Sequence, residues 1–258
     1  SNLDELRQLP SLESLVLDYQ DITDISPLEG MELQYLSLCG NEVEDLSALE
    51  EMTTLCALWL EDTPVSDGAV LSHLTSLREL EISGTNLAEA SDFCSLPLEI
   101  LKMKDTLIKD LAPLRQLREL TVLAAGETDE QGMEIIQGMK QLEYLTVSGT
   151  LEDLTGFAGM HRLVMLDLSL SRLLSLEGVE ALTNLEYLGL GYTKPDSLDP
   201  LIKNSALRDV EMVGADIKDY TPLLRCKGLH AVHVGLSRKD EAARQLEGSG
   251  LIIYAWEE

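Results

Sequence analysis

The chain is short of positive charge, short of aromatic rings and without any long apolar run, and each shortage removes a class of protein. Only 19 Lys and Arg stand against 46 Asp and Glu in 258 residues, a formal net charge of −27. A surface of that sign repels phosphate backbones and anionic lipid headgroups, so no nucleic-acid partner is expected, and it attracts basic partners at long range. No apolar stretch approaches the ~18 residues of a membrane-crossing helix, and the longest, GLIIYAW at 250–256, is strand-sized. No membrane insertion is expected. Histidine and cysteine are equally scarce, 4 of each, which limits catalysis and metal binding. The 45 % hydrophobic content is ample for a folded core.

What the chain has is leucine at fixed intervals. The frame L-x-x-L-x-L, with Ile, Val or Met at its later places, starts at Leu12, Leu33, Leu55, Leu77, Leu98, Leu117, Leu142, Leu163, Leu185, Leu207 and Leu229, and a twelfth copy starts at Leu251. The spacings are 21, 22, 22, 21, 19, 25, 21, 22, 22, 22 and 22. Such a period marks a repeat architecture: one unit cannot bury its own apolar face, and stacked neighbours bury a continuous core. Alternation inside each copy predicts a short strand, so the copies form a parallel sheet whose inward side chains stack in ladders. In the twelfth copy this phase turns Tyr254 and Trp256 inward.

Other columns follow from the phase. Eight places after each first leucine comes a polar or small residue: Gln20, Asn41, Thr63, Thr85, Thr106, Ala125, Thr150, Ser171, Thr193 and Ala215. Inward amides and hydroxyls at such a turn satisfy backbone groups that water cannot reach. An Asp column follows, Asp24, Asp45, Asp67, Asp110, Asp129, Asp153 and Asp219, with Glu89 at the equivalent place. Each precedes a short segment such as SPL or TPL, where a carboxylate caps a helical turn.

The frame and its tails, ITDISPLEGM, VEDLSALEEM and IKDLAPLRQL, resemble the short-repeat class of leucine-rich-repeat proteins found among bacterial internalins and phosphatase-regulatory subunits. The resemblance covers nearly the whole chain. It implies an α/β fold, a curved right-handed solenoid of about 11–12 repeats with the parallel β-sheet on the concave face and short 3-10 or α segments on the convex face. Residues 1–11 are expected to form an N-terminal cap or the tail of a preceding repeat, and 12–258 a single leucine-rich-repeat domain. An irregular, helical repeat is expected near 117–141, where Thr128 and Gln131 fit a capping box. A C-terminal helix and last strand are expected within 237–256. Neither end carries a Cys-rich capping module, which fits a piece of a longer protein as well as a complete domain.

The acidic octapeptide CGNEVEDL at 39–46 superficially offers calcium-loop chemistry, with oxygen ligands at alternate places. Once phased it comes apart: Asn41 belongs to the turn column, Val43 to the core and Asp45 to the cap column, while Glu42 and Glu44 face solvent. No metal site and no cofactor are expected. Nor does a catalytic group converge. His73 and His161 fall on turns or convex segments, and His230 and His233 lie on opposite faces of one strand. Cys39 and Cys56 differ by five places along adjacent strands, roughly 17 Å, and Cys94 and Cys226 are six copies apart, all beyond the ~7 Å reach of a disulfide. Four free thiols favour the cytoplasm, with a bacterial cell surface as the alternative.

The outward strand positions, two and four places after each first leucine, have no core duty. The first column reads Ser14, Tyr35, Ala57, Glu79, Ile100, Glu119, Tyr144, Met165, Tyr187, Asp209 and Ala231; the second reads Val16, Ser37, Trp59, Glu81, Lys102, Thr121, Thr146, Asp167, Gly189, Glu211 and His233. Tyr35 and Trp59 gather with Glu61, Glu79 and Glu81, with Cys39 outward beside them. Tyr144, Met165 and Tyr187 form a stripe beside Asp167, Asp209 and Glu211. Aromatic anchors rimmed by charge are typical of protein interfaces. Lys102 reads as a cross-strand partner of Glu79 and Glu81. These residues predict a non-enzymatic module, monomeric, that binds a protein or peptide of basic character on this face. The alternatives are an acidic inhibitor of a basic enzyme, and the recognition arm of a surface adhesin or larger regulator.

Overall fold

Each copy of the frame folds into one short strand in the computed structural model, which describes residues 3–9 and 11–258. Residues 1, 2 and 10 of the expected N-terminal cap lie outside the described residues; within it, Asp4–Gln8 is a 3-10 helix preceded by the buried Leu3. Contacts divide the chain into two compact units, Ser1–Gly126 and Glu127–Glu258.

In the first unit the strands β1 (Ser14–Val16), β2 (Tyr35–Ser37), β3 (Ala57–Trp59), β4 (Glu79–Glu81), β5 (Ile100–Met103) and β6 (Val122–Thr128, whose last two residues fall in the second unit) pair in parallel and in chain order. The register aligns Leu15, Leu36, Leu58, Leu80, Leu101 and Leu123 as one inward ladder, and all but the first are no more than 1 % exposed. Burying each such side chain contributes on the order of 1.5 to 3 kcal/mol before chain entropy is counted.

The second unit repeats the plan. Its strands β7 (Tyr144–Leu151), β8 (Met165–Asp167), β10 (Tyr187–Gly189), β11 (Asp209–Met212), β12 (Ala231–Gly235) and β13 (Ile252–Trp256) pair in parallel, while β9 (Arg172–Leu173) lies beside the end of β7. Two helices stand out from the 3-10 turns, α1 (Glu130–Gln137) and α2 (Lys239–Gln245). The first lies within residues 117–141 and the second within 237–256. Asp129, not Thr128, caps α1, accepting the Gly132 N–H at 2.8 Å.

Two phases differ from the sequence expectation. Val122 pairs with Ile100 and Ala125 with Met103, so the sixth frame starts at Leu120 rather than Leu117. The outward residues there are Val122 and Ala124, not Glu119 and Thr121, and Ala125 faces inward as a strand residue. In the last copy Tyr254 pairs with His233 and Trp256 with Gly235. The frame therefore starts at Gly250, one place early, and a slip of one place moves every side chain to the other face. Ile253 and Ala255 turn inward, while Tyr254 and Trp256 face outward at 43 % and 54 % exposure.

The turn column is buried at Asn41, Thr63, Thr85, Ser171, Thr193 and Ala215, whereas Gln20 and Thr150 are exposed. Thr63, Thr85, Thr106 and Thr193 each donate to the carbonyl three residues back. The Asp column works one place earlier than a standard cap. Asp24, Asp45, Asp67, Asp110, Asp153 and Asp219 each accept the N–H two residues on, at 2.8 to 3.0 Å, which is the first residue of the following turn. Hydrogen bonds to Ser26 and Ser47 hold the Asp24 and Asp45 carboxyls below the usual range, and Thr221 does so for Asp219. Glu89 makes no such cap.

Candidate functional site

Strand pairing places the expected outer-face residues next to one another, one strand apart. In the first unit Tyr35 and Trp59 meet edge to face with ring centroids 5.2 Å apart, a favoured aromatic geometry. The Trp59 indole N–H donates to Glu79 Oε1 at 2.9 Å. Lys102 Nζ lies 5.6 Å from the Trp59 ring centroid and 3.3 Å from Glu81 Oε2. A cation is thus held between an aromatic face and a carboxylate. Glu81 is buried, its other oxygen accepting the Ser83 N–H at 2.9 Å, and Glu61 is exposed. Of the two acids expected to balance Lys102, Glu81 takes the lysine and Glu79 takes the indole.

Cys39 is not outward as expected but buried, in contact with the Ser37 hydroxyl, while its N–H donates to Asp18. Burial is the main cause that pushes its thiol up, which opposes thiolate chemistry. The octapeptide around it holds no ligand cage. Asn41 Oδ1 accepts the Gln20 and Ile22 N–H groups, and Asp45 accepts Ser47. Among the described residues no group of three or more His, Cys, Asp or Glu side chains is placed to hold a metal ion. All four cysteines are free. Among the described residues, no helix is long and apolar enough to cross a membrane.

In the second unit the register sets Tyr144 beside Met165, Met165 beside Tyr187 and Tyr187 beside Asp209, the stripe read from the sequence. Above it Asp167, Gly189 and Glu211 are neighbours. Both carboxylates are anchored by backbone. Asp167 accepts the Ser169 N–H at 2.9 Å and Glu211 accepts that of Val213 at 2.6 Å, while the Ser169 hydroxyl donates to Asp167 Oδ1 at 2.6 Å. Burial, then Asp167, pushes the Glu211 carboxyl up. Burial first, then Glu211, Asp167 and Asp209, pushes the Tyr187 phenol up to about 12.

The sequence reading missed one cluster because it misphased the last strand. Tyr254 stacks on His233 at 4.8 Å between centroids and 22° between planes, and Trp256 lies parallel to His233 at 6.3 Å and 11°. The Trp256 indole donates to His233 Nδ1 at 3.2 Å, and His233 Nε2 is 3.7 Å from Asp209 Oδ1. An open depression of about 440 Å³ is lined by Glu143, Arg162, Asn184 and Arg208 among others, beside the starts of β7, β8, β10 and β11. Arg162 there pairs with Glu143, and Arg208 donates to the Gly228 carbonyl.

The architecture is that of the leucine-rich-repeat solenoid. No family model and no curated protein matches the sequence. Among solved structures, the chain is similar to an internalin (InlF) of Listeria monocytogenes, with 21 % identity, a TM-score of 0.73, and coverage of 100 % of this chain and 85 % of that one. It is similar to a leucine-rich-repeat protein of Leptospira interrogans, with 16 % identity, a TM-score of 0.67 and coverage of 96 % and 85 %. It is also similar to the leucine-rich-repeat ectodomain of the Arabidopsis thaliana receptor kinase GASSHO1/SCHENGEN3 in complex with Casparian strip integrity factor 2, at 18 % identity and a TM-score of 0.59. That likeness covers 98 % of this chain and 40 % of the receptor. At these identities the likeness is one of fold.

Proposed function

We propose that the chain is a non-enzymatic protein-interaction module that binds a basic protein or peptide through the outer face of its sheet. The observation that carries this reading is the cation site of the first unit. Lys102 rests on Trp59 and against Glu81, so the face already holds one ammonium group with the residue types it offers elsewhere. The remaining acids and rings, Glu61 and Glu79 with Tyr35, and Asp167, Glu211 and Asp209 with Tyr144, Met165 and Tyr187, extend the same chemistry. The net charge of −27 supports a cationic partner. The fold neighbours include a receptor-kinase ectodomain in complex with Casparian strip integrity factor 2, which supports a ligand-binding role for this fold here.

The test is capture of a fluorescent arginine- and lysine-rich peptide by the chain and by a Trp59→Ala, Tyr187→Ala double variant. The double variant is expected to keep its circular dichroism and to lose about tenfold or more in affinity, the range of interface aromatic anchors. Equal capture by both proteins refutes the assignment of this face. The acidic surface also favours inhibition of a basic enzyme as a second reading. In that case affinity falls steeply with added salt, and salt-insensitive binding counts against it.

A further inference from the structure

Tyr254 and Trp256 are among the large apolar side chains left exposed, and they stand with His233 as three nearly parallel rings on the outer face of the second unit. We infer that this ring ladder, with Asp209 and Glu211 beside it, is a docking site for an arginine side chain of the basic partner. The inference rests on the outer-face reading above and deepens it.

Three observations lead to arginine. The ring planes are within 22° and 11° of parallel, which presents a flat π surface to a planar guanidinium. Acidity adjoins it: Asp209 lies 3.7 Å from His233, and Glu211 is the strand neighbour of His233. The face is also ordered before any ligand arrives. The indole is tied to His233 Nδ1 at 3.2 Å, and the packing of His233 between Asp209 and Tyr254 fixes the ring that carries it. Pre-ordered rings cost little entropy on binding.

The first unit contains the occupied counterpart, Lys102 on Trp59 beside Glu81. In the second unit no Lys or Arg occurs at the outward places of β7, β8 and β10 to β13. The outward strand places therefore supply the ladder with no cation, and a basic partner brings one. Stacked rings also bind nucleobases, and exposed terminal strands also pair with a second copy. Both occupants bring negative charge to a chain of −27, which disfavours them against a cationic side chain.

The experiment uses the full chain labelled with nitrogen-15, whose two indole N–H signals, Trp59 and Trp256, are assigned with Trp59→Phe and Trp256→Phe. It is titrated with a glycine–arginine alternating peptide, the matching glycine–lysine peptide and oligothymidylate. The arginine peptide is expected to shift the Trp256 signal at lower concentration than the lysine peptide does. By fluorescence anisotropy Trp256→Ala is expected to bind it about two- to fivefold more weakly. Binding that moves the Trp59 signal alone overturns this inference and leaves the outer-face reading standing; no binding of either basic peptide overturns both. A Trp256 shift with oligothymidylate, or on concentrating the chain without ligand, assigns the ladder to another occupant and also overturns the inference.

Discussion

Replacing Asn41 with alanine removes five hydrogen bonds from one buried side chain, and their partners give the cost. Asn41 is 1 % exposed. Its Oδ1 accepts from Gln20 N and Ile22 N, both at 3.0 Å, and its Nδ2 donates to Leu17 O at 2.8 Å, Leu38 O at 2.7 Å and Cys39 O at 3.3 Å. The Cys39 carbonyl keeps a second partner in the Tyr19 N–H. The bonds to Gln20 and Leu17 are part-buried, so water replaces them cheaply. Ile22 N and Leu38 O lie in the buried interior and lose the partner that Asn41 supplies. At ~1 to 3 kcal/mol for each orphaned group, with some relaxation, Asn41→Ala is expected to cost about 2 to 4 kcal/mol.

The loss is local in origin, because the amide ties the first repeat to the second and repeat arrays open from their ends. The assay is urea unfolding followed by Trp59 fluorescence in a Trp256→Phe background, with hydrogen exchange at the Ile22 amide as the site-specific readout. Thr63→Ala is the matched control. It deletes a single bond, from the Thr63 hydroxyl to Leu60 O at 2.7 Å, and is expected to cost about 1 kcal/mol. If Asn41→Ala costs no more than Thr63→Ala and Ile22 stays protected, the amide is not the staple its geometry describes. Glu42→Gln, on the exposed side of the same loop, is expected to change nothing measurable.

Gly178 has φ +96, and a Cβ there would meet Thr155 N at 2.5 Å and Leu154 C at 2.6 Å, so Gly178→Ala is expected to cost about 2 kcal/mol or more in thermal unfolding. Gly30, at φ +77 with nothing within 4 Å of its added Cβ, should lose only about 1 kcal/mol as alanine; equal losses at the two sites refute the steric argument. Tyr187 ionises late, near pH 12, because of burial and the surrounding acids. A raised phenol means that the folded chain holds its proton longer than the unfolded chain, so stability falls as pH rises from the ordinary tyrosine range through 12. Burial also raises the Tyr35 and Tyr220 phenols, so phenolate absorbance should show a late group of tyrosines that Tyr187→Phe diminishes by one. Lys102→Met deprives buried Glu81 of its cation and should lower stability by about 1 kcal/mol. It should also let a basic peptide shift the Trp59 indole signal at lower concentration, and an unchanged titration would remove Lys102 from the site.

Most of the fold was legible because a repeat core obeys one rule at every copy, and the site was legible only as far as that rule reached. Where inward places hold leucine and outward places hold polar or charged residues, as in Leu36 between Tyr35 and Ser37 and Leu80 between Glu79 and Glu81, alternation alone assigns the faces. At 117–125 both LRELTV and LTVLAA fit the frame, and the small inward Ala125 made the true one look weaker. Spacing separates them, since 120 − 98 and 142 − 120 are both 22. In the last strand alternation carries no sign, because Ile253 and Ala255 on one face and Tyr254 and Trp256 on the other are all apolar. Choice of partner was also hidden. Register sets Glu79 and Glu81 near both Trp59 and Lys102, but rotamers decide which acid takes which. The misread strand is therefore the informative one, for its rings pack on the outer face and not in the core. Covering the exposed half of Tyr254 and Trp256 removes roughly 200 Å² of ring surface from water, on the order of 5 kcal/mol before the cost of association. Within the described chain that surface stays in water, so a partner that stacks on the two rings gains a driving force that folding leaves unused.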